Sequence, residues 1–557
     1  MNINNLYPWF KLDSLNGFVG LDIGLFSVLI ITYSFRFMKG RPKLLQYYAN
    51  IILTAIASIA AVLSNNLILL LVFWGFLGLT LYLLINMGGN HPDTVAKKTF
   101  IIVGGSDALM LLGIGIIYYL TGTFQMDKIR ISLTTNYHLL PTIAYLCIAV
   151  ACFAKAGAMP FHSWIPDFAE SAPVPVVAYL PASLDKLLGI YLLARVSLDL
   201  FVMSQALNIL LMLIGASTIV AAVMMALVQH NMKRLLGYHA VSQVGYMVLG
   251  IGSGTPIGIA GGIFHMLNHA VYKSCLFLDA GNVEQRAGSA DLDKLGGLAK
   301  LMPFTYISAL IASFSISGIP PFNGFVSKWM VYQGLLTAYQ VSSIKYQVII
   351  LMTLLAAMFG SALTLASFMK LLHATFLGQP KSQGVREPEG EVSWTMWLPC
   401  AVLAIICVIF GIFAYQVPIK YFILPAIKGV NFIGTWYAGT ATLLILAGLA
   451  LGMLIFRLKG LRPRFRQDAT FVGGEIMDLQ ENRVTGTEFY NTIKELGLLR
   501  AIYKRAEAGV FDIYEQGRKF TFSISGILQY LHNGVLPTYM VWCLLGMIGL
   551  FYIFIFR

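Results

Sequence analysis

Uninterrupted apolar runs, parted by short polar connections, dominate this chain from its second turn of sequence to its last residues. The run from Asn66 to Ile85 is typical: it is continuous rather than alternating, and about twenty apolar residues as a helix match the thickness of a bilayer core. A membrane β-barrel would show segments of roughly ten residues alternating apolar and polar, so helical spans are the reading. About fourteen spans are expected on that length criterion, with approximate cores at 17–36, 47–64, 66–86, 99–120, 139–157, 174–197, 206–228, 235–252, 256–280, 303–337, 348–371, 395–415, 434–456 and 538–556. The fold class is therefore an all-α polytopic membrane protein.

The connections carry a charge asymmetry. The first holds Arg36, Lys39, Arg41 and Lys43, the third Lys97 and Lys98, and the seventh Lys233 and Arg234. The thirteenth holds Arg457, Lys459, Arg462, Arg464 and Arg466, whereas the second and eighth have no Lys or Arg and the fourth has Lys128 and Arg130. The positive-inside rule then puts the odd connections in the cytoplasm and both termini outside. No cleavable leader is expected, because the first residues include Asn, Tyr, Pro and Lys and no small-residue cleavage site follows.

Two spans are interrupted in similar ways. The fifth reaches Lys155, then Gly157, Pro160 and His162, with Pro166, Pro173 and Pro175 following. The tenth contains Gly318, Pro320, Pro321, Asn323 and Gly324 just before Lys328. Broken backbone at membrane depth is tolerated only inside a protein bundle or beside a wet cavity. The breaks lie five spans apart, an odd number, so spans 2–6 and 7–11 form two inverted five-helix repeats, an arrangement typical of transporters.

Ionisable groups inside or bordering spans cost several kcal/mol unless paired or hydrated, and those singled out here are Asp107, Lys155, Asp185, Lys186, His265, His269, Lys273, Lys328 and Lys370. His265, His269 and Lys273 recur every four residues and so share one helix face. A face with two imidazoles and an amine can pass protons, since imidazole titrates near neutrality. The plainer reading of a lysine near a span end, Lys370 and Lys273 here, is that it snorkels to the interface. A zinc site at His265 and His269 lacks the glutamate of the His-Glu-x-x-His pattern.

Composition agrees with this picture. Of 557 residues, 58% are hydrophobic and only 11% charged, with a mean hydropathy of +0.75, whereas soluble domains carry roughly 25% charged residues. The net charge of +13 lies mostly in the short connections, so nucleic acid is not an expected partner. The six cysteines stand singly, without a Cys-x-x-Cys, and give no iron–sulfur or zinc framework.

Four ordered motifs resemble one family. Lys155-Ala-Gly-Ala-Met-Pro-Phe-His-Ser-Trp-Ile-Pro-Asp-Phe-Ala-Glu-Ser-Ala-Pro-Val-Pro is similar to K-S-A-x-x-P-x-H-x-W-L-P-D-A-x-E-x-P-T-P. Lys233-Arg-Leu-Leu-Gly-Tyr-His-Ala-Val-Ser-Gln resembles K-R-x-L-A-Y-S-x-x-S-Q. The stretch from His265 to Phe277 resembles H-x3-H-A-x2-K-x3-F, and Gly324-Phe-Val-Ser-Lys328 resembles G-F-x-S-K. These patterns belong to the antiporter-like, proton-translocating membrane subunits of the respiratory complex I superfamily. That superfamily includes the L subunit of NADH-quinone oxidoreductase, membrane-bound hydrogenase and formate hydrogenlyase subunits, and multisubunit cation/proton antiporters. The resemblance covers residues 12–380 and places the chain's start at what is usually the third helix of the long members.

The resemblance implies a relay of buried residues carrying protons along the bilayer midplane. Lys155 would be the central lysine of the first half-channel and Lys233 a lysine between halves. His265, His269 and Lys273 would form the linking group, Lys328 the ionisable residue of the second half-channel, and Asp107 the aspartate on the helix after the family's glutamate helix. Two departures bear on the first half. Where the family has W-E-x-x-x-L-x-S-Y-L-L, this chain has Gly75 in the glutamate's place, and where many members have a histidine in the next helix it has Pro181, followed by Asp185 and Lys186. Asp185 is the expected substitute carboxylate, with Asp107 next in line.

The expected organisation is an N-terminal span (1–46), a first repeat (47–200), a second repeat (201–372), two further spans (373–460), a cytoplasmic-side amphipathic segment (461–535) and a C-terminal span (536–557). In the amphipathic segment Phe489, Ile493, Leu496, Leu499, Tyr503, Val510 and Ile513 fall largely at helical spacing, with Lys494, Arg500, Lys504, Arg505 and Glu507 between them. This resembles the lateral helix of the longest members; several short helices are the alternative, because Gly497, Gly509, Gly517 and Gly526 interrupt it. The expected function is translocation of H⁺ or Na⁺ in a prokaryotic plasma membrane, without a cofactor or redox chemistry in this chain. Its expected partners are lipid, other membrane subunits and, through them, soluble iron–sulfur subunits. An antiporter working without a redox partner and an inactive scaffold are the alternatives.

Overall fold

The computed structural model describes residues 9–88, 92–133, 139–378, 390–427, 429–431, 438–458, 487 and 490–556. It is almost wholly helical. The first six helices are α1 (Ser14–Phe37), α2 (Leu44–Leu63), α3 (Leu67–Ile85), α4 (Pro92–Thr121), α5 (Leu139–Ala156) and α6 (Trp164–Ser171). There follow α7 (Val174–Tyr179), α8 (Asp185–Arg195), α9 (Gln205–Leu227), α10 (Met232–Gly252), α11 (Pro256–Ala287), α12 (Pro303–Ser317), α13 (Asn323–Val341) and α14 (Ile344–Leu372). The last are α15 (Trp394–Ile412), α16 (Ala438–Leu458), α17 (Asn491–Glu495), α18 (Gly497–Glu507), α19 (Ile513–Leu531) and α20 (Leu536–Phe556). One two-residue parallel pairing, Ile131–Ser132 with Phe201–Val202, is the single named sheet among the described residues.

Polar side chains at the ends set where these helices begin. Asp13 caps α1 and accepts from the amides of Leu15 and Asn16, while the Asn16 side chain accepts from Asp13 N–H in a capping box. Asn66 caps α3, Asn231 caps α10 and Thr255 caps α11 in the same way.

Ten helical segments among the described residues are long and apolar enough to cross a membrane, fewer than the fourteen runs expected. For α10 to α13 the shortfall has a physical cause. Helices α10, α11 and α13 bury polar groups such as His239, Gln243, His265, His269, Lys273, Asp279 and Lys328, and such groups lower hydropathy just where the bundle interior can hold them. α12 is a short apolar helix because the tenth run is broken after Ser317. α16 lies partly over residues whose side chains are not described.

Both expected breaks are present, and each opens on a glycine with positive φ. Gly157 (φ 79°) ends α5 and Gly318 (φ 80°) ends α12, a left-handed conformation that side chains with a Cβ avoid. A Cβ at Gly157 would fall 1.9 Å from Ile165 Cδ1, and one at Gly318 would fall 3.1 Å from Lys328 Cδ. Helix α11 is the hub: it packs against α10, α12, α13 and α15, and against α7 and α8. Nearly all of its residues from Ile257 to Val283 are buried.

Two compact units divide the chain, Met1–Leu496 and Gly497–Arg557. Where the apolar stripe after residue 488 allowed one long lateral helix, the described residues form separate helices α17, α18 and α19, parted at Leu496 and over Ala508–Asp512. Gly509 at φ 72° makes the second interruption. Residues 459–486, 488 and 489, and with them Lys459, Arg462, Arg464, Arg466 and Phe489, lie outside the described residues. The second unit ends in the apolar α20, none of whose described side chains is buried by protein.

Candidate functional site

The first half of the site is built at the end of α5. Ending the helix at Gly157 frees carbonyls of its last turn, and Trp164 Nε1 donates to the Ala154 carbonyl at 3.0 Å. Lys155, 1% exposed, is left to side chains. Its Nζ lies 3.9 Å from Asp185 Oδ1 and 5.1 Å from the centre of the Trp74 ring. Asp107 is also within electrostatic range of Lys155 and adjoins Trp74. The amine thus sits between two carboxyls and an aromatic face, the last a favourable seat for a cation.

Asp185 and Lys186 are placed by a π-helical turn, Leu180–Leu184, that contains Pro181 and leads into α8. A π turn shifts the following residues around the helix axis and is common at functional sites. Lys186, fully buried, lies over the Trp164 ring at 5.7 Å. His269 on α11 meets the backbone of Ala182 in that turn and lies within electrostatic range of both Lys186 and Lys273. Lys273 is in range of Lys186 and faces the rings of Phe277 and Phe368 at 5.5 and 5.6 Å. Neither Lys186 Nζ nor Lys273 Nζ has a hydrogen-bonding partner among the described residues.

The second half is better supplied with hydrogen bonds. His265 Nδ1 lies 2.9 Å from Ser327 Oγ, and its Nε2 lies 3.1 Å from Gln243 Oε1 and 3.3 Å from Tyr272 OH. Lys328, 2% exposed, is one residue beyond Ser327 and within electrostatic range of His265. The break after α12 supplies its partner. Lys328 Nζ donates to the freed Ile316 carbonyl at 2.8 Å and to Ser361 Oγ at 3.0 Å, and Ser361 in turn donates to the Ser317 carbonyl at 3.0 Å. The Tyr246 ring lies 4.7 Å from the same amine.

Of the residues singled out in the sequence, Lys155, Asp107, Asp185, Lys186, His265, His269, Lys273 and Lys328 therefore form one chain of electrostatic neighbours through α4, α5, α8, α11 and α13. Lys233 is engaged differently. Its Nζ pairs with Glu284 Oε1 at 2.9 Å, near the C-terminal end of α11. Lys370 is not a snorkelling lysine: it is 4% exposed and donates to the carbonyls of Leu227 and Gln229 at 2.7 and 2.8 Å.

Sequence reasoning passed over His239. It is fully buried, 2.7 Å from Ser367 Oγ through Nε2, and within electrostatic range of Lys273, Lys328 and Lys370. Its signal was legible, since it occupies the serine position of K-R-x-L-A-Y-S. Among the described residues no cluster of His, Cys, Asp and Glu could hold a metal ion.

The family described as "NADH:quinone oxidoreductase/Mrp antiporter, TM" matches residues 64–369, a stretch that contains every residue of the chain of neighbours. Relatives include the A subunit of the Na(+)/H(+) antiporter of Alkalihalophilus pseudofirmus, 31% identical over 528 residues and 88% of this chain. The corresponding A1 protein of Staphylococcus aureus is 30% identical over 437 residues, 75% of this chain. The chain spans 64% and 54% of the lengths of these relatives. Among solved structures, a chain of the membrane-bound sulfane sulfur reductase, an archaeal respiratory membrane complex, is similar with a TM-score of 0.78 and 21% identity, covering 98% of this chain and 89% of that one. A chain of the Dietzia Mrp complex gives 0.68 and 22%, covering 75% and 84%, and one of Thermus thermophilus respiratory complex I gives 0.63 and 22%, covering 73% and 83%. The chain belongs to the NADH:quinone oxidoreductase/Mrp antiporter membrane family and is an antiporter-like, multi-pass membrane subunit of that superfamily.

Proposed function

We propose that this protein moves protons across the membrane as part of a complex I-related, redox-driven pump, using Lys155, Asp185, Lys186, His269, Lys273, His265 and Lys328 as the relay. The observation that carries the reading is the unbroken series of electrostatic neighbours among these groups, nearly all of them excluded from solvent. A charge added at one member changes the proton affinity of the next, so titration of the line is shared rather than local. Asp185 takes the part of the carboxylate missing at Gly75. Residues 47–200 and 201–372 act as the two inverted half-channels, with both termini on the outer side. Electrons are handled by soluble iron–sulfur subunits reached through neighbouring membrane subunits.

The fit over 98% of the chain to a chain of a respiratory complex supports the redox-driven reading. A second reading, Na⁺/H⁺ exchange without redox chemistry, is favoured by the 31% identity to the Alkalihalophilus antiporter protein. Purifying the native complex and identifying its subunits separates the two. Co-purifying iron–sulfur proteins support the pump; a complex of membrane subunits alone, exchanging Na⁺ for H⁺ across liposomes, supports the exchanger.

A further inference from the structure

Helix α11 has a second polar face that the relay does not use. Cys275, Asp279 and Asn282, at i, i+4 and i+7, point into the seam with α12 and α15 and are fully buried. Asp279 is held by uncharged donors rather than by a cation: Ser308 Oγ donates to Oδ1 at 2.7 Å, Cys275 Sγ donates to Oδ2 at 3.5 Å, and the Cys400 thiol also reaches it. Burying an unpaired carboxylate is expensive, and a protonated carboxyl in such a seat is not.

The seam leads outward. Cys400 Sγ also accepts from Asn282 Nδ2 at 3.6 Å, and the same Nδ2 donates to Thr305 Oγ1 at 3.2 Å. Thr305 Oγ1 then donates to Glu391 Oε1 at 2.7 Å. Glu391 is half-buried beside Arg286, whose guanidinium donates to the Glu391 carbonyl. Its other oxygen accepts from the amides of Phe304 and Thr305 at the start of α12. Asn282 Oδ1 is buried in the seam with no partner among the described residues, a vacant acceptor midway along the route. The remaining titratable neighbours of Asp279 are Cys275, Cys400 and Tyr33 of α1, whose hydroxyl donates to the Leu278 carbonyl.

We propose that Asp279 is a proton-loading carboxyl at the inner end of a lateral access seam lined by Glu391, Thr305, Asn282 and Cys400, which admits protons from the membrane face bearing Glu391 to the helix that carries His265, His269 and Lys273. The inference rests on the relay reading above but adds a separate feed to it. Nothing is transferred but a proton: Asp279 gains it from the Glu391 side as the carboxylic acid and returns to carboxylate when the proton passes on toward the relay.

Infrared difference spectroscopy on the intact complex in liposomes tests this, with the pH jumped on the Glu391 side. The expected result is a carbonyl stretch of a protonated carboxyl that is lost in Asp279→Asn and displaced in Asp279→Glu. Translocation per turnover should be lost or reduced in the first variant and restored in the second. Thr305→Val, which keeps the shape of the seam, should leave the band but slow its response to the pH jump. A band indifferent to Asp279→Asn, or a response unchanged in Thr305→Val, overturns the proposal. If Asp279→Asn pumps normally while Lys328→Ala does not, only the access route fails; if both pump normally, the relay itself fails.

Discussion

Lys155 Nζ and Asp185 Oδ1 face each other across α5 and α8 at 3.9 Å, with side chains 1% and 4% exposed. The family's glutamate position, Gly75, lies on the exposed side of α3, and the carboxylate that stands beside Lys155 belongs to α8. Asp185 reaches that place because the π turn over Leu180–Leu184 re-aims the start of α8.

Removing one partner of a buried ion pair leaves an uncompensated charge at a cost of about 3–5 kcal/mol. Asp185→Asn should therefore impair translocation about as severely as Lys155→Ala, with Asp107→Asn the milder change because Asp107 is within electrostatic range of Lys155 but forms no ion pair with it among the described residues. The check is turnover-driven pH change in liposomes containing the complex. A silent Asp185→Asn beside a dead Asp107→Asn would exchange the two roles, and silence in all three would leave the first half a scaffold.

Returning the missing carboxylate is not expected to repair that loss. A Cβ at Gly75 meets nothing within 4 Å, and the residue lies on the exposed side of α3. Gly75→Glu is expected to fold and assemble but not to rescue Asp185→Asn, because it points away from the Lys155 side. Recovery of translocation in the double variant would show that the exposed side of α3 communicates with Lys155.

Gly318→Ala meets two obstacles, a left-handed backbone and Lys328 Cδ at 3.1 Å. The backbone alone costs roughly 1–2 kcal/mol. A lowered melting temperature in detergent together with reduced translocation is the expected pair of results; unchanged values for both would mean that the break tolerates a side chain beside Lys328.

The C-terminal unit is proposed as a brace to neighbouring membrane subunits. Truncation after Leu496 should leave the first unit folded while less of the complex survives purification, with translocation per assembled complex unchanged. Full assembly with lost pumping would instead assign the segment to coupling.

Much of this was legible in the residues. Continuous apolar runs gave the helices, and Gly157 and Gly318 marked both breaks. His265, His269 and Lys273 shared a face by spacing alone. What the pattern hid follows from the same physics. Asp279 lies in a run, Leu276 to Ala280, that is otherwise apolar, and only packing against Ser308 and Cys400 reveals how a carboxyl is accommodated there. Lys370 looked like an interfacial lysine because its partners are the carbonyls of Leu227 and Gln229, which no side-chain pattern announces. Helices α10, α11 and α13 are legible as spans in the sequence, whereas the packing that brings their buried polar groups together is not.

In the proposed relay Lys328 carries the proton through the second half, held by the carbonyl that the break in α12 sets free. The most direct measurement is redox-driven pH change in liposomes of the complex containing Lys328→Ala, with assembly checked on the same preparation. The expected result is an assembled complex whose proton movement is abolished or strongly reduced. An assembled complex that pumps at the normal rate would contradict the relay.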